Sequence, residues 1–93
     1  MGNVFCSKLY LGVDGIDLDF GLTTTSASEA HLNKQMIESS QKVIVLADST
    51  KFGKRGFGKI CGIEAVDHII TDSGIPDQVK KGLEGHGIKV SII

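Results

Sequence analysis

Lys42–Gly53, reading KVIVLADSTKFG, limits the folds open to this chain more than any other stretch. It begins with an unbroken apolar run, Val43-Ile44-Val45-Leu46-Ala47, rich in β-branched residues and without alternation. A short run of that kind suits a strand buried on both faces, as in a parallel sheet covered by helices. The run stops at Asp48-Ser49-Thr50-Lys51. Ligands of open parallel sheets sit at the carboxyl ends of the strands, where the loops carry the chemistry. An acid, two hydroxyls and a lysine are thus expected together at the functional edge. The same residues also suit a plain loop, with Asp48 or Ser49 capping a turn and Lys51 in solvent.

At 93 residues the chain is expected to be a single unit, 1–93, with no linker or internal repeat. A domain of that size buries only about 60–65% of its unfolded surface, so the core is thin. A formal net charge of -1, 5% aromatic residues and no Trp argue against a nucleic-acid-binding face, which would show a basic stripe. No direct nucleic-acid contact is expected. No apolar run approaches the roughly 20 residues of a membrane span, and the start lacks the regions of a signal peptide. The expected location is cytoplasmic. Cys6 and Cys61 have neither metal-ligand spacing nor a disulfide framework, so both thiols are expected reduced and structural. Nothing in the pattern calls for a metal or a cofactor.

Along the chain, Met1–Ser7 reads as a loose lead-in with Val4 and Phe5 available to pack, and Lys8–Val13 as a first strand. Asp14-Gly15 is a turn signal. The acid-rich loop after it holds Asp14, Asp17 and Asp19, but not with the spacing of a calcium-binding loop. Ser26-Ala27-Ser28-Glu29 matches a capping box, with Ser26 as N-cap and Glu29 returning to its backbone N–H. The helix should run from Ala27 to about Ser40, with Ala27, Ala30, Met36 and Ile37 near one face. Its amino end follows Thr23-Thr24-Thr25, where free backbone donors and the helix dipole favour an anion. Capping alone also accounts for these residues.

Phe52–Lys59, FGKRGFGK, resembles a phosphate cradle in its glycines, yet its spacing fits no phosphate-binding fingerprint. A mobile, basic surface loop is the expectation. Gly62–Val66 reads as a short link and Val66–Thr71 as a third strand, with Asp67 and His68 close enough to pair. Pro76 suits a first helical position, Asp77–Glu84 a second helix closed by Gly85-His86-Gly87, and Ile88–Ile93 a last strand. No Ser/His/Asp or Cys/His order supports nucleophilic catalysis. Alternation at this spacing predicts an α/β fold with a mostly parallel sheet.

Five stretches, in order, carry a resemblance: Leu11–Asp17 (LGVDGID), Gly21–Thr24 (GLTT), Glu29-Ala30, Ala47–Gly53 (ADSTKFG) and Ile69–Asp72 (IITD). Together they resemble the C-terminal effector-sensing domain of DeoR-family bacterial transcriptional repressors of sugar metabolism, from about Lys8 to Ile93. The resemblance implies a three-layer fold, its sheet flanked by helices, similar to ribose-5-phosphate isomerase and the CoA transferases. It implies a sensor of a phosphorylated sugar, coupled in the family to a winged helix-turn-helix. This sequence shows neither that DNA-binding domain nor the family's glycine/threonine-rich phosphate loop. It is expected to be the C-terminal part of the sensor domain, pairing as a homodimer or higher oligomer to cover exposed sheet edges.

The ligand-binding residues so implied are Asp14, Gly15, Thr23, Thr24, Glu29, Asp48 and Lys51. By resemblance Asp14 faces sugar hydroxyls, Lys51 meets the phosphate as a point charge, and Thr23 and Thr24 donate to ligand oxygens. Glu29 falls near the catalytic glutamate of the isomerase. That enzyme's next residue, a lysine, is Ala30 here, and its glycine-rich loop is Gly21-Leu22-Thr23-Thr24. A sensor, not an enzyme, is therefore expected. The alternatives are an isomerase-like fragment and a purely structural dimerisation fragment without a ligand site.

Overall fold

The structure, a computed structural model, describes residues 6–93. Val4 and Phe5, expected to pack, lie outside the described residues. The elements are β1 (Cys6–Gly12), β2 (Gly15–Asp17), β3 (Gly21–Thr24), α1 (Ala27–Glu38) and β4 (Ser40–Leu46). They continue with β5 (Gly58–Cys61), β6 (His68–Thr71), α2 (Asp77–Gly85) and β7 (Lys89–Ile92). Single 3-10 turns occupy Ser49–Lys51 and Ile63–Ala65.

The expected strands form one parallel sheet in the order β1-β4-β6-β7. Register sets Leu11, Val45, Ile69 and Val90 side by side across all four strands. This row packs with Ala30 and Ile37 of α1 and with Val79 and Leu83 of α2. Val45, Ile69 and Leu83 are wholly buried, each worth about 1.5–3 kcal/mol of burial. β1 begins at Cys6, so Cys6 and Ser7 are paired strand and not lead-in. Asp67 and His68 do not pair: Asp67 Oδ2 accepts from Val43 N at 2.8 Å, and His68 Nε2 lies 2.8 Å from Ser91 Oγ. Pro76 caps α2. At its other end Gly87, at φ 82°, lets Gly87 N reach Glu84 O and Ile88 N reach Leu83 O, a Schellman closure.

Two expectations need correction. Both helices pack on the same row of the parallel sheet, so within the described residues that sheet is flanked by helices on one face. Along β4, Val43 and Val45 face the core, whereas Ile44 and Leu46 point to the open side with Tyr10 and Ile70. Tyr10 and Leu46 stay 58% and 44% exposed, whereas Ile44 beside Tyr10 is buried at 6%. An apolar run does not distinguish a strand covered twice from one whose second face is bare.

Secondly, β2, β3 and β5 form a separate antiparallel sheet, β2-β3-β5, from segments expected to be loops or helix lead-in. Its strands are three or four residues long, too short for alternation to show. Gly21 makes the pairing possible. Its φ is 106°, and a Cβ there would strike the Cys61 carbonyl and come within 2.8 Å of Gly62 Cα. The expected free basic loop is likewise anchored. Gly53 N donates to Ile16 O at 2.8 Å, Gly56 N to Thr23 Oγ1 at 2.6 Å, and Arg55 Nε to Asp17 Oδ2 at 3.1 Å. Arg55 and Lys59 both stand over the Phe20 ring, 5.0 and 4.9 Å from its centroid.

Candidate functional site

Three parallel strands deliver an aspartate to the same edge of the sheet: Asp14 after β1, Asp48 after β4 and Asp72 after β6. Each carboxylate is held by the loop it enters. Asp14 Oδ2 accepts from Thr24 Oγ1 at 2.9 Å and from Thr25 N at 3.1 Å, while Asp14 N donates to Thr23 O at 2.9 Å. Asp48 accepts from the Thr50 hydroxyl and from Thr50 N at 3.0 Å, the turn-capping role weighed from sequence. Those two bonds, the hydroxyl first, hold its carboxyl below the usual carboxylate range. Asp72 reaches across from β6: Oδ2 accepts from Ser49 N at 3.0 Å and Oδ1 from Gly74 N at 2.8 Å. The Ser49 backbone, its hydroxyl and Gly74 hold Asp72 low as well. Asp72 therefore ties the β4 and β6 loops together, a role sequence reasoning missed. The available signal was its place directly after an apolar strand, as with Asp48.

Glu29 shows why local spacing misled. Ser26 caps α1, its Oγ accepting from Glu29 N at 3.2 Å, so half of the capping box forms. The Glu29 carboxylate turns instead to Thr24, with Oε2 3.0 Å from Thr24 Oγ1. Thr24, almost fully buried on β3, thus has carboxylates on two sides. A threonine hydroxyl carries one proton and can donate to only one acceptor at a time. One carboxylate oxygen is left able to take a hydrogen bond from something else. The same two carboxylates make the start of α1 a poor seat for an anion, whatever its dipole offers. The arrangement suits a hydroxyl donor.

The other expected residues take supporting places. Thr23 is wholly buried and its Oγ1 accepts from Gly56 N, so it holds the basic loop and does not reach solvent. Gly15 sits where a Cβ would strike the Lys54 carbonyl, which lets that loop close over β2. Lys51 ends the 3-10 turn, half-buried, and forms no ion pair among the described residues. Asp17 caps the turn to Phe20 and pairs with Arg55, and those contacts, the Phe20 N–H first, lower its pKa. No cluster of His, Cys, Asp and Glu among the described residues could hold a metal. No helix among them is long and apolar enough to cross a membrane. The Cys61 thiol, half-buried, is pushed up to about 11, chiefly by burial and then by Glu64, which leaves it protonated and unreactive at neutral pH.

These loops carry the stretches on which the family resemblance rests, and comparison with known proteins bears it out. The family model described as the DeoR C terminal sensor domain matches residues 1–73. The chain belongs to the DeoR family. An Escherichia coli O157:H7 protein named for an aga operon transcriptional repressor is 40% identical over 91 residues, covering 98% of this chain and 34% of its own length. The HTH-type transcriptional regulator GlpR of Haloferax volcanii is 34% identical over 82 residues, covering 88% of this chain and 32% of its own. The glycerol-3-phosphate regulon repressor of E. coli K12 is 32% identical over 82 residues, with the same two shares. These three relatives are named as transcriptional regulators, and the chain spans about a third of their length.

Proposed function

We propose that this chain is the effector-contacting, C-terminal part of a DeoR-type repressor's sensor domain and that its effector is a phosphorylated sugar. The observation that carries this reading is the Thr24 hydroxyl set between Asp14 and Glu29, at the sheet edge shared with the Lys51 turn. Sugar hydroxyls donate to the free carboxylate oxygens of Asp14 and Glu29. Lys51 supplies a positive charge for the phosphate. Asp48 shapes the turn that presents Lys51, and Asp72 fixes that turn to the β6 loop. Thr23 and Gly15 act from behind by holding the Lys54–Gly56 segment. The E. coli K12 relative, whose name specifies a glycerol-3-phosphate regulon, supports a phosphorylated polyol as the effector class.

A thermal-shift screen of sugar phosphates against the matching free sugars tests this, because a ligand that binds only the folded state raises its melting temperature with concentration. The expected result is a phosphate-dependent rise that Lys51→Ala abolishes and Asp14→Asn reduces. Equal rises with free sugars and sugar phosphates would remove Lys51 from the site, and no rise with any compound would sink the proposal for this chain.

A further inference from the structure

The self-association expected from the sequence needs a surface, and the effector reading assigns none. β7 pairs with β6 alone, so among the described residues it is an edge of the parallel sheet. Lys89 N donates to Asp67 O at 3.1 Å and Ile93 N to Thr71 O at 2.9 Å. Those residues turn their amides towards β6, and strand geometry then turns the N–H and C=O of Val90 and Ile92 outward. A row of unpaired backbone groups is a template for another strand. β7 has no proline and no bulge to guard it, and its single charge, Lys89, stands at its start. Register places Ile92 beside Thr71 on the helix side, yet Ile92 stays 44% exposed. Leu11, on the helix side of the opposite edge strand β1, is already buried. The uncovered apolar edge is therefore that of β7.

We propose that β7 pairs antiparallel with β7 of a second copy, about a two-fold axis at Ser91, joining the two parallel sheets into one. The pairing stands on the strand itself and does not depend on the effector reading. Directly opposite residues lie on the same face of a sheet, which restricts the register. Centred on Ser91, Val90 stands opposite Ile92 of the second copy, and Ile92 opposite its Val90. Such a pair exchanges both N–H···O bonds, so every outward group of Val90 and Ile92 finds a partner. A register centred on Val90 sets Ile92 against Ile88, whose N–H is already held by Leu83 O at 3.1 Å. On the helix side the Ser91 register makes apolar cross-strand pairs of Val90 and Ile92. On the other side Ser91 meets Ser91, and Lys89 meets Ile93, which is 89% exposed. The two lysines are thus kept apart, and each stem lies along an isoleucine with its ammonium in water. The pattern is self-complementary, as an isologous contact with a second copy requires, and it closes at a dimer.

The test is disulfide formation by Ser91→Cys under mild oxidation, in a Cys6→Ser, Cys61→Ser background, read by non-reducing electrophoresis. Across a non-hydrogen-bonded antiparallel pair the two Cα atoms stand about 4.5 Å apart, within the span of a disulfide. Lys89→Cys is the control, because its two copies stand roughly 14 Å apart in this register. Ser91→Cys should cross-link about tenfold faster than Lys89→Cys, or more. A mixture of Lys89→Cys and Ile93→Cys proteins should yield the mixed dimer. Sedimentation of the chain without added cysteines should show a dimer, and Ile92→Lys, a charge on the exposed edge, should raise its Kd by about tenfold or more. Circular dichroism checks that each variant keeps the fold. A chain that stays monomeric up to millimolar concentration would overturn the proposal. So would equal cross-linking at the two positions, or a dimer indifferent to Ile92→Lys. If the chain alone does not fold, cysteines at the aligned positions of the 40% identical O157:H7 relative give the same reading. Failure to cross-link there would overturn the proposal too, as the mark of an edge covered by another segment.

Discussion

Thr71→Val should make this protein more stable. Thr71 ends β6 on the core side, is 2% exposed, and its Oγ1 is buried without a hydrogen-bond partner. Its backbone is already satisfied: Thr71 pairs with Ile92 in the ladder, and its carbonyl accepts from Ile93 N at 2.9 Å. Valine keeps the shape and replaces only the hydroxyl. The desolvation penalty of an unpaired buried hydroxyl, about 1–3 kcal/mol, is relieved. Taking the lower bound of about 1 kcal/mol, the melting temperature of a domain this size rises by about 4–8 °C. Thermal unfolding followed by circular dichroism reads the shift. Thr71→Ser, which keeps the hydroxyl and drops a buried methyl worth about 0.8 kcal/mol, should move the midpoint down. A Thr71→Val protein less stable than wild type would refute the reasoning, because it would mean that the hydroxyl is hydrogen-bonded in solution.

Gly21→Ala should unfold the small sheet, since φ 106° and the approach of Cys61 and Gly62 leave no room for a methyl group; a midpoint within a few degrees of wild type would contradict this. The Cys61 thiol predicts an alkaline effect. Its folded pKa of about 11 stands above the ordinary 9.0, so between these values the unfolded chain loses a proton that the folded one keeps. Stability should not respond to this group below pH 9 and should fall as pH rises from 9 towards 11. The decline should shrink in Cys61→Ala, measured with Cys6→Ser in both proteins.

The sequence was most informative where segments were long and apolar. Lys42–Ala47 and Ile88–Ile93 read as strands because burial of one face is enough to demand branched side chains, and α1 and α2 announced their ends with Ser26, Pro76 and Gly87. The second sheet was hidden because β3 pairs with β5 across more than thirty intervening residues, Leu22 against Cys61, and each strand is only four residues long and opens on a glycine. Which face of β4 meets the helices was hidden because Ile44 and Leu46 are as apolar as Val43 and Val45, although they point the other way. At the candidate site, Asp14, Asp48 and Lys51 were placed correctly at the strand-end edge. The partner of Glu29 was not, since the Ser26 spacing suggested a local contact and only the β3–α1 packing brings Thr24 within reach. Asp72 looked like a turn residue until the β4 and β6 loops were seen side by side.

The parallel order of the larger sheet also governs how the chain is made. Cys6 lies against Ser40 and Gly12 against Leu46, so among the described residues β1 has no partner until β4 has been synthesised. At about 5–20 residues per second of translation, β1 waits on the order of seconds for β4. During that wait Leu9, Tyr10 and Leu11 are a ready template for the wrong strand, from the same nascent chain or from another, and such long-range pairing is intrinsically slow. Lys8, directly before them, places a charge where a gatekeeper against aggregation belongs. The strand whose outer row later forms one side of the open face is thus also the one most dependent on timely synthesis of β4.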